Sequence, residues 1–258
     1  MASLDPSDPG DALPSRARKY LESKDHILGP DLELIEQSAS TLFPSLAIDV
    51  ATGPGHALRA AAPFSGICLA LDVSIDMLSV AREHLGRAGL DDVAYVQAAA
   101  ASLPLRDNSV SLLTCRIAPH HFPSVPDFLD EVRRVLDAGG RGIIIDNLAP
   151  EDRECDRFLN EAERLRDPTH VRAYSQKMWL VFLADAGLGV LSSSTFQRTH
   201  DFGEWARRTC LAEKDVLVLE ERFLKAPLKV RRHFRVKTDD HGKMMSYTDE
   251  KGIFVVRK

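Results

Sequence analysis

Five apolar, strand-like runs, each followed by a segment with helical spacing, dominate the first 150 residues of the chain. Near-continuous apolar strands must be covered on both faces, and strand–helix–strand crossovers are right-handed. The pattern therefore predicts a doubly wound, mainly parallel α/β sheet, whose ligand crevice lies at the carboxyl ends of the strands. The runs are SLAIDV, GICLALDV, VAYVQA, SVSLLTCRI and RGIIIDNL.

The pattern of apolar and charged residues changes after Pro150, where charged helical segments alternate with a few further strands. We predict a single domain over residues 16–258, with a cofactor-binding core at about 45–147 and helical cover segments at 16–44 and 151–230. Residues 1–15 are acidic and rich in proline and serine, which predicts a disordered lead-in. Within the core, VPDFLDEVRRVLDAGG predicts a helix that closes at Gly139 and Gly140.

Charge and cysteine content narrow the class of protein. The formal net charge of −5 gives no reason to expect nucleic acid as a partner. No apolar run approaches the roughly 20 residues of a membrane span, so no membrane partner is expected. The four cysteines are scattered without metal-ligand spacing, which favours reduced thiols and a cytoplasmic location. A homodimer contact through the C-terminal hairpin or the basic stretch before it stays open.

The stretch AIDVATGPGHAL, residues 47–58, places two glycines between a strand and a helix. Glycines let the backbone approach a ligand, and a helix N-terminus offers unpaired N–H groups. Leu58 stands where a dinucleotide fingerprint would have a third small residue, and Pro54 removes one N–H group. The turn alone is equally compatible with an ordinary strand–helix connection.

An acid at the end of the second strand adds to the glycine turn. Asp72 closes LALD, and a carboxylate there can accept hydrogen bonds from both hydroxyls of a ribose. The alternative is that Asp72 caps the next helix, a role for which Ser74 and Asp76 compete. Together, the turn and the acid predict a nucleoside-containing ligand.

Four segments resemble, in order and spacing, the motifs of class I S-adenosylmethionine-dependent methyltransferases: AIDVATGPGHAL, ALDVSIDMLSVAREH, ASLPLRDNSVSLLTCRIAPHHF and EVRRVLDAGGRGIIID. The similarity is to the small-molecule branch that includes the quinone-biosynthesis type. It implies a Rossmann-like, seven-stranded sheet, S-adenosylmethionine as cofactor, and methylation of a small organic molecule at O, N or C.

The resemblance also implies which residues bind the cofactor. They are, for the methionine part, Asp49, Ala51, Gly53 and Gly55; for the ribose, Asp72; for the adenine, Val73, Met77, Ala99 and Ala100; and for the reactive end, Arg116 and Ile117.

Two of these positions depart from the family. Ala51 replaces a usual glycine, although an Ala-Thr-Gly version occurs in the family. Ala99 replaces the usual aspartate that accepts the adenine amino group. Loss of that hydrogen bond is expected to cost about 0.5–1.5 kcal/mol of cofactor binding, which weakens the affinity without abolishing it.

The catalytic candidates are His120 and His121, which follow the fourth strand at the crevice. An imidazole can act as a base near neutral pH, although packing against Phe122 or a hydrogen bond to a loop carbonyl would equally explain them. Tyr20 and His26 lie on a predicted N-terminal cover as substrate or lid residues, or as incidental polar groups of an amphipathic helix. In RLRDPTHVRAY, the charged cluster of Arg166, Asp167, His170 and Arg172 lies beside the crevice entrance and predicts a loop held by internal salt bridges, with a loop that contacts the substrate as the alternative.

Two other function classes stay open from the sequence. One is a methyltransferase-like scaffold with non-methyl chemistry or only a binding role, which the missing aspartate at Ala99 supports. The other is a nicotinamide-dependent oxidoreductase, disfavoured by Leu58 and by the lack of a Tyr-x-x-x-Lys proton donor. Neither a metal-ligand spacing, nor a phosphate-binding loop with GK[ST], nor a GxSxG elbow is present.

Overall fold

A computed structural model describes residues 15–23, 27 and 29–258 of the chain. The predicted lead-in, residues 1–15, therefore lies outside the described residues apart from Ser15, and so does His26. The strands are β1 (Leu46–Val50), β2 (Ile67–Asp72), β3 (Val93–Gln97), β4 (Val110–Arg116), β5 (Leu136–Leu148), β6 (Gly189–Asp201), β7 (Lys237–Thr238) and β8 (Met244–Arg257). The helices are α1 (Ser15–Glu22), α2 (Pro30–Leu42), α3 (His56–Ala61), α4 (Ile75–Arg87), α5 (Val125–Val135), α6 (Arg153–Arg166), α7 (Gln176–Asp185), α8 (Phe202–Arg207), α9 (Glu213–Leu224) and α10 (Leu228–His233).

One sheet runs through the described structure in the order β3-β2-β1-β4-β5-β8-β6. Strands β1 to β5 are parallel, and β8 lies antiparallel between β5 and β6. The doubly wound, mainly parallel sheet is thus confirmed. The sequence predicts seven strands, and the eighth is the two-residue β7, which pairs with β8 across a hairpin that turns at Gly242.

Helix α5 shows why these segments fold as they do. Ser124 caps it by accepting a hydrogen bond from the Asp127 backbone N–H at 3.2 Å, and Pro126 occupies its first turn. Its buried side chains follow the helical repeat and pack on the central strands: Val125, Phe128, Leu129, Val132 and Val135.

The predicted end of this helix at Gly139 and Gly140 is wrong. The helix stops at Val135, because Leu136 already pairs with Val110 at the start of β5. The glycines instead serve a bend in that strand. The Asp137 carboxylate accepts from the Gly139 N–H at 2.9 Å, and a Cβ at Gly140 would lie 2.6 Å from the Val110 carbonyl oxygen.

A second apolar cluster holds the segments that follow β5. Side chains from α6, α8, α9 and β8 meet there, with Phe158 and Phe223 in edge contact at 5.0 Å and Trp205 on Tyr247 at 4.8 Å between ring centroids. These helices cover one end of the sheet. None of the helices in the described part of the chain is long and apolar enough to cross a membrane.

Candidate functional site

Two neighbouring cavities lie at the carboxyl ends of the central strands. The larger, which we name the cleft, has a volume of about 690 Å³ and is lined from the turns after β1, β2, β3 and β4. The smaller, which we name the chamber, has a volume of about 40 Å³. Four residues line both: Tyr20, Arg116, Ile117 and His121. The two cavities therefore adjoin where β4 ends.

The glycine turn after β1 forms the floor of the cleft. Gly53 has a φ of +51°, and a Cβ added there would meet no atom within 4 Å, so bare backbone faces open space. Ala51 takes the left-handed region without being glycine, at φ +53°, a conformation that costs about 1–3 kcal/mol. Gly55, predicted as a cofactor residue, is not part of the cleft lining. Its φ of +87° starts α3, and it packs on Leu85.

The Asp72 carboxylate is held at the tip of β2 by two backbone groups. It accepts hydrogen bonds at 2.9 Å from the N–H of Gly53 and from the N–H of Ser74. The Ser74 hydroxyl caps α4 by accepting a hydrogen bond from the Met77 N–H, so the cap that was the alternative role for Asp72 is supplied by Ser74. Burial raises the pKa of Asp72, and these N–H groups oppose that shift. Asp72 thus lines the cleft as a carboxylate fixed in position.

Asp49, at the end of β1, is buried below the turn. Its two carboxylate oxygens accept hydrogen bonds from the hydroxyls of Thr52 and Thr114, each at 2.6 Å. Burial raises the pKa of Asp49 to about 6, although both hydrogen bonds and the charge of Arg116 favour the ionised form. This carboxyl therefore titrates near neutral pH.

The flank beyond Asp72 is apolar. Val73 is 63% exposed, and it lines the cleft together with Met77, Ala99, Ala100 and Phe122. No carboxylate stands at position 99, so the departure from the family persists in three dimensions. A carboxylate, bare backbone and an apolar flank in a cavity of this size fit a nucleoside with an attached amino-acid chain.

His120 and His121 occupy different cavities. His120 lines the chamber and not the cleft; its Nδ1 lies 2.5 Å from Oδ1 of Asp146, and both residues are buried. His121 lines both cavities, and its Nδ1 donates to the Thr169 carbonyl at 3.0 Å. Burial and the neighbouring His120 lower the pKa of His121 to about 3, so this ring is neutral at pH 7.

Besides the predicted Arg116, the chamber collects charged residues that the sequence did not indicate as site residues. Arg116 meets Asp31 at 2.5 Å, and Arg166 is paired with Glu163 at 2.8 Å. The charged side chains of the chamber come from α2, β4, α6, β6, β8 and the turn after α8. Because these elements lie far apart in the sequence, no single segment predicts that they come together. The charged segment RLRDPTHVRAY was the one other signal in the sequence, and its Arg166 is buried in the chamber wall, paired with Glu163 of α6.

Tyr20 on α1 reaches the junction of the two cavities. Its hydroxyl lies 3.4 Å from Oδ2 of Asp167. The other predicted cover residue, His26, is outside the described residues.

Comparison with known proteins agrees with this geometry. A family model of the methyltransferase domain matches residues 48–144. YcgJ of Bacillus subtilis, an uncharacterised methyltransferase, is 33% identical over 192 residues, which cover 74% of this chain and 76% of that protein. The UbiE C-methyltransferase of ubiquinone and menaquinone biosynthesis from Brucella canis is 34% identical over 118 residues, 44% of each chain.

A solved structure resembles the whole fold. BH2331 from Bacillus halodurans C-125, described as a candidate methyltransferase, superposes with a TM-score of 0.85 at 35% identity, covering 89% of this chain and 99% of that one. Strand order, glycine turn and strand-tip acid define a methyltransferase of the Rossmann-like type. The chain belongs to the class I S-adenosylmethionine-dependent methyltransferases, and it resembles the quinone-biosynthesis members.

Proposed function

We propose that this chain binds S-adenosylmethionine in the cleft and methylates a small organic molecule at O, N or C. The observation that carries the proposal is the Asp72 carboxylate, fixed at the tip of β2 beside the bare backbone of Gly53. Family membership favours methyl transfer over the nicotinamide alternative. The single domain, the cytoplasmic location and a homodimer stay predictions.

Different residues of the cleft bind different parts of the cofactor. Asp72 accepts the ribose hydroxyls, Val73 and Met77 cover the adenine, and the turn at Gly53 carries the methionine part. The ionised Asp49 lies below the turn and attracts the positive charges of that end. When bound, S-adenosylmethionine would supply an electrophilic methyl group for in-line transfer to the acceptor, with S-adenosylhomocysteine as the leaving group.

His120 is the base that we assign to acceptors that lose a proton. Asp146 accepts from Nδ1–H of His120, which leaves the lone pair on Nε2. No described residue forms a hydrogen bond with that Nε2. As the bond from acceptor to methyl forms, the acceptor's proton passes to Nε2. His121, neutral and fixed by Thr169, positions the acceptor at the junction.

Calorimetric titration with S-adenosylmethionine tests the proposal. An Asp72→Asn variant should bind it about 10- to 150-fold more weakly, because hydrogen bonds to a charged acceptor contribute about 1.5–3 kcal/mol each. Asp76→Asn is the matched control: it removes a carboxylate one turn further on, on the exposed side of α4, and should leave the affinity unchanged.

Three results would contradict the proposal. Absence of binding at millimolar S-adenosylmethionine would show that it is not the ligand of the cleft, and the missing aspartate at Ala99 would become the first feature to test as the cause. Equal losses in Asp72→Asn and Asp76→Asn would mean that the cofactor does not lie at the tip of β2. Tight binding without transfer to any acceptor in a broad screen would favour the binding-only alternative.

A further inference from the structure

The chamber beside the cleft is unusually rich in cationic side chains. Its lining carries five of them and only two carboxylates: Arg116, Arg166, Arg198, Arg208 and Lys251 against Asp31 and Glu163. Burying charge is costly unless each charge is paired and hydrogen-bonded. Arg166 and Lys251 are no more than 5% exposed. Asp249 lies behind Lys251 at 2.7 Å, so the cations still outnumber the carboxylates, and a wall of this sign favours a negatively charged occupant.

The carboxylates near the chamber do not use all of its donors. Nε and Nη2 of Arg166 both donate to the same oxygen of Glu163, at 3.0 and 2.8 Å. Nη1 of Arg166 is buried and has no hydrogen-bond partner among the described residues. Nζ of Lys251 donates two hydrogen bonds, to Oδ1 of Asn147 at 2.6 Å and to Oδ2 of Asp249 at 2.7 Å, and it carries three N–H groups. The wall therefore offers donors in excess of acceptors.

Size and position restrict what could accept from these donors. A water molecule needs about 10–15 Å³ of cavity volume. The chamber, at about 40 Å³, therefore holds roughly three waters, which is enough for a carboxylate group. The chamber meets the cleft at Ile117 and His121. A molecule whose head fills the chamber extends past these residues toward the cofactor's reactive end.

We propose that the chamber binds a carboxylate of the methyl acceptor, held by Arg166, Arg198 and Lys251. An ionised carboxylate only accepts hydrogen bonds, and guanidinium groups match its geometry. The carboxylate anchors the molecule, and the atom that receives the methyl lies on the part of it that reaches the junction, beside His120 and His121. This substrate class rests on the proposed function for the methyl donor, whereas the anion site stands on the chamber alone.

The test uses benzoate, benzamide and inorganic phosphate as probes, titrated into the full chain at constant ionic strength with saturating S-adenosylhomocysteine. Benzoate should bind at least tenfold more tightly than benzamide, which has the same shape without the charge. Arg198→Gln should weaken benzoate binding tenfold or more, and Arg198→Lys should restore part of it. Arg198 lies over Phe196 at 5.6 Å and is the most exposed of the paired chamber cations.

Arg82→Gln is the matched control. Arg82 also stacks on an aromatic ring, 4.5 Å from the centroid of Tyr95, but it lines neither cavity, so benzoate binding should not change. The comparison of benzoate with benzamide on the unaltered protein keeps the test valid even where an arginine variant does not fold.

Equal affinity for benzoate and benzamide would overturn the inference, and so would equal losses in Arg198→Gln and Arg82→Gln. Phosphate binding that depends on Arg198, without benzoate binding, would overturn the assignment to a carboxylate. Titrating the same protein, without S-adenosylhomocysteine, with S-adenosylmethionine separates the two proposals. Cofactor binding without benzoate binding defeats only the carboxylate site, and the reverse defeats only the methyl donor.

Discussion

At the scale of single residues, the surroundings of Asp49 bring its pKa close to neutral pH. Burial raises its pKa to about 6, well above the unperturbed value of about 3.9. In the free protein, the folded state therefore binds this proton more tightly than the unfolded chain does. The contribution of Asp49 to the free energy of unfolding is consequently lost as the pH rises from about 4 to about 6.

A cationic ligand reverses that preference, because it favours the ionised carboxylate. We expect the affinity for S-adenosylmethionine to be about tenfold weaker at pH 5 than at pH 7, with a midpoint near 6. Calorimetry at several pH values, in buffers of different ionisation enthalpy, should also detect proton release on binding near pH 6. In Asp49→Asn this pH dependence should flatten; if it persists unchanged, another group, such as Asp72, is responsible.

Residues near the glycine turn could be predicted because their chemistry is local in the sequence. Asp72 and Gly53 both line the cleft, since Asp72 ends β2, Gly53 lies in the turn after β1, and the sequence pattern predicts where both strands end. Gly55 lies outside the lining because the turn directs it against Leu85. The spacing of glycines in the sequence does not determine whether Gly53 or Gly55 faces the ligand.

At the scale of elements, one carboxylate joins three of them. Asp31 on α2 meets Arg116 of β4 at 2.5 Å and Arg198 of β6 at 4.0 Å. The Asp31 side chain is fully buried. It therefore fixes α2 against strands that lie far away in the sequence, and it sets part of the charge in the chamber.

Removing this charge should destabilise the fold. We expect Asp31→Asn to lower the free energy of unfolding by about 3–5 kcal/mol, because breaking a buried ion pair leaves its cations uncompensated. Glu36→Gln, an exposed position on the same helix, should change it by no more than about 0.5 kcal/mol. Urea denaturation of both variants measures the difference; similar values for the two would show that Asp31 does not brace α2.

Elements with a strong periodic pattern were predicted well, and their ends less so. Helix α5 is present as expected, but it stops at Val135 because strand β5 takes Leu136 into its register with β4. A glycine pair can end a helix or bend a strand. The pairing partner, which the sequence does not name, decides between these outcomes.

At the scale of the whole molecule, two cavities share one wall at the end of β4. The cleft is built mainly from the turns after the first four strands, which is why the sequence indicated it. The chamber takes Arg198 from β6 and Lys251 from β8, and Arg208 from the turn after α8. Only the antiparallel pairing of β8 with β5 and β6 brings them together, and no spacing in the sequence encodes that convergence.

The most direct test of the central claim is a crystal structure of the protein with S-adenosylhomocysteine. We expect both ribose hydroxyls within hydrogen-bond distance of the Asp72 carboxylate, about 2.5–3.0 Å. The adenine should lie against Val73 and Met77, and the sulfur should point to the junction at Ile117 and His121. A ligand bound elsewhere, or a cleft that stays empty at saturating concentration, would contradict the account.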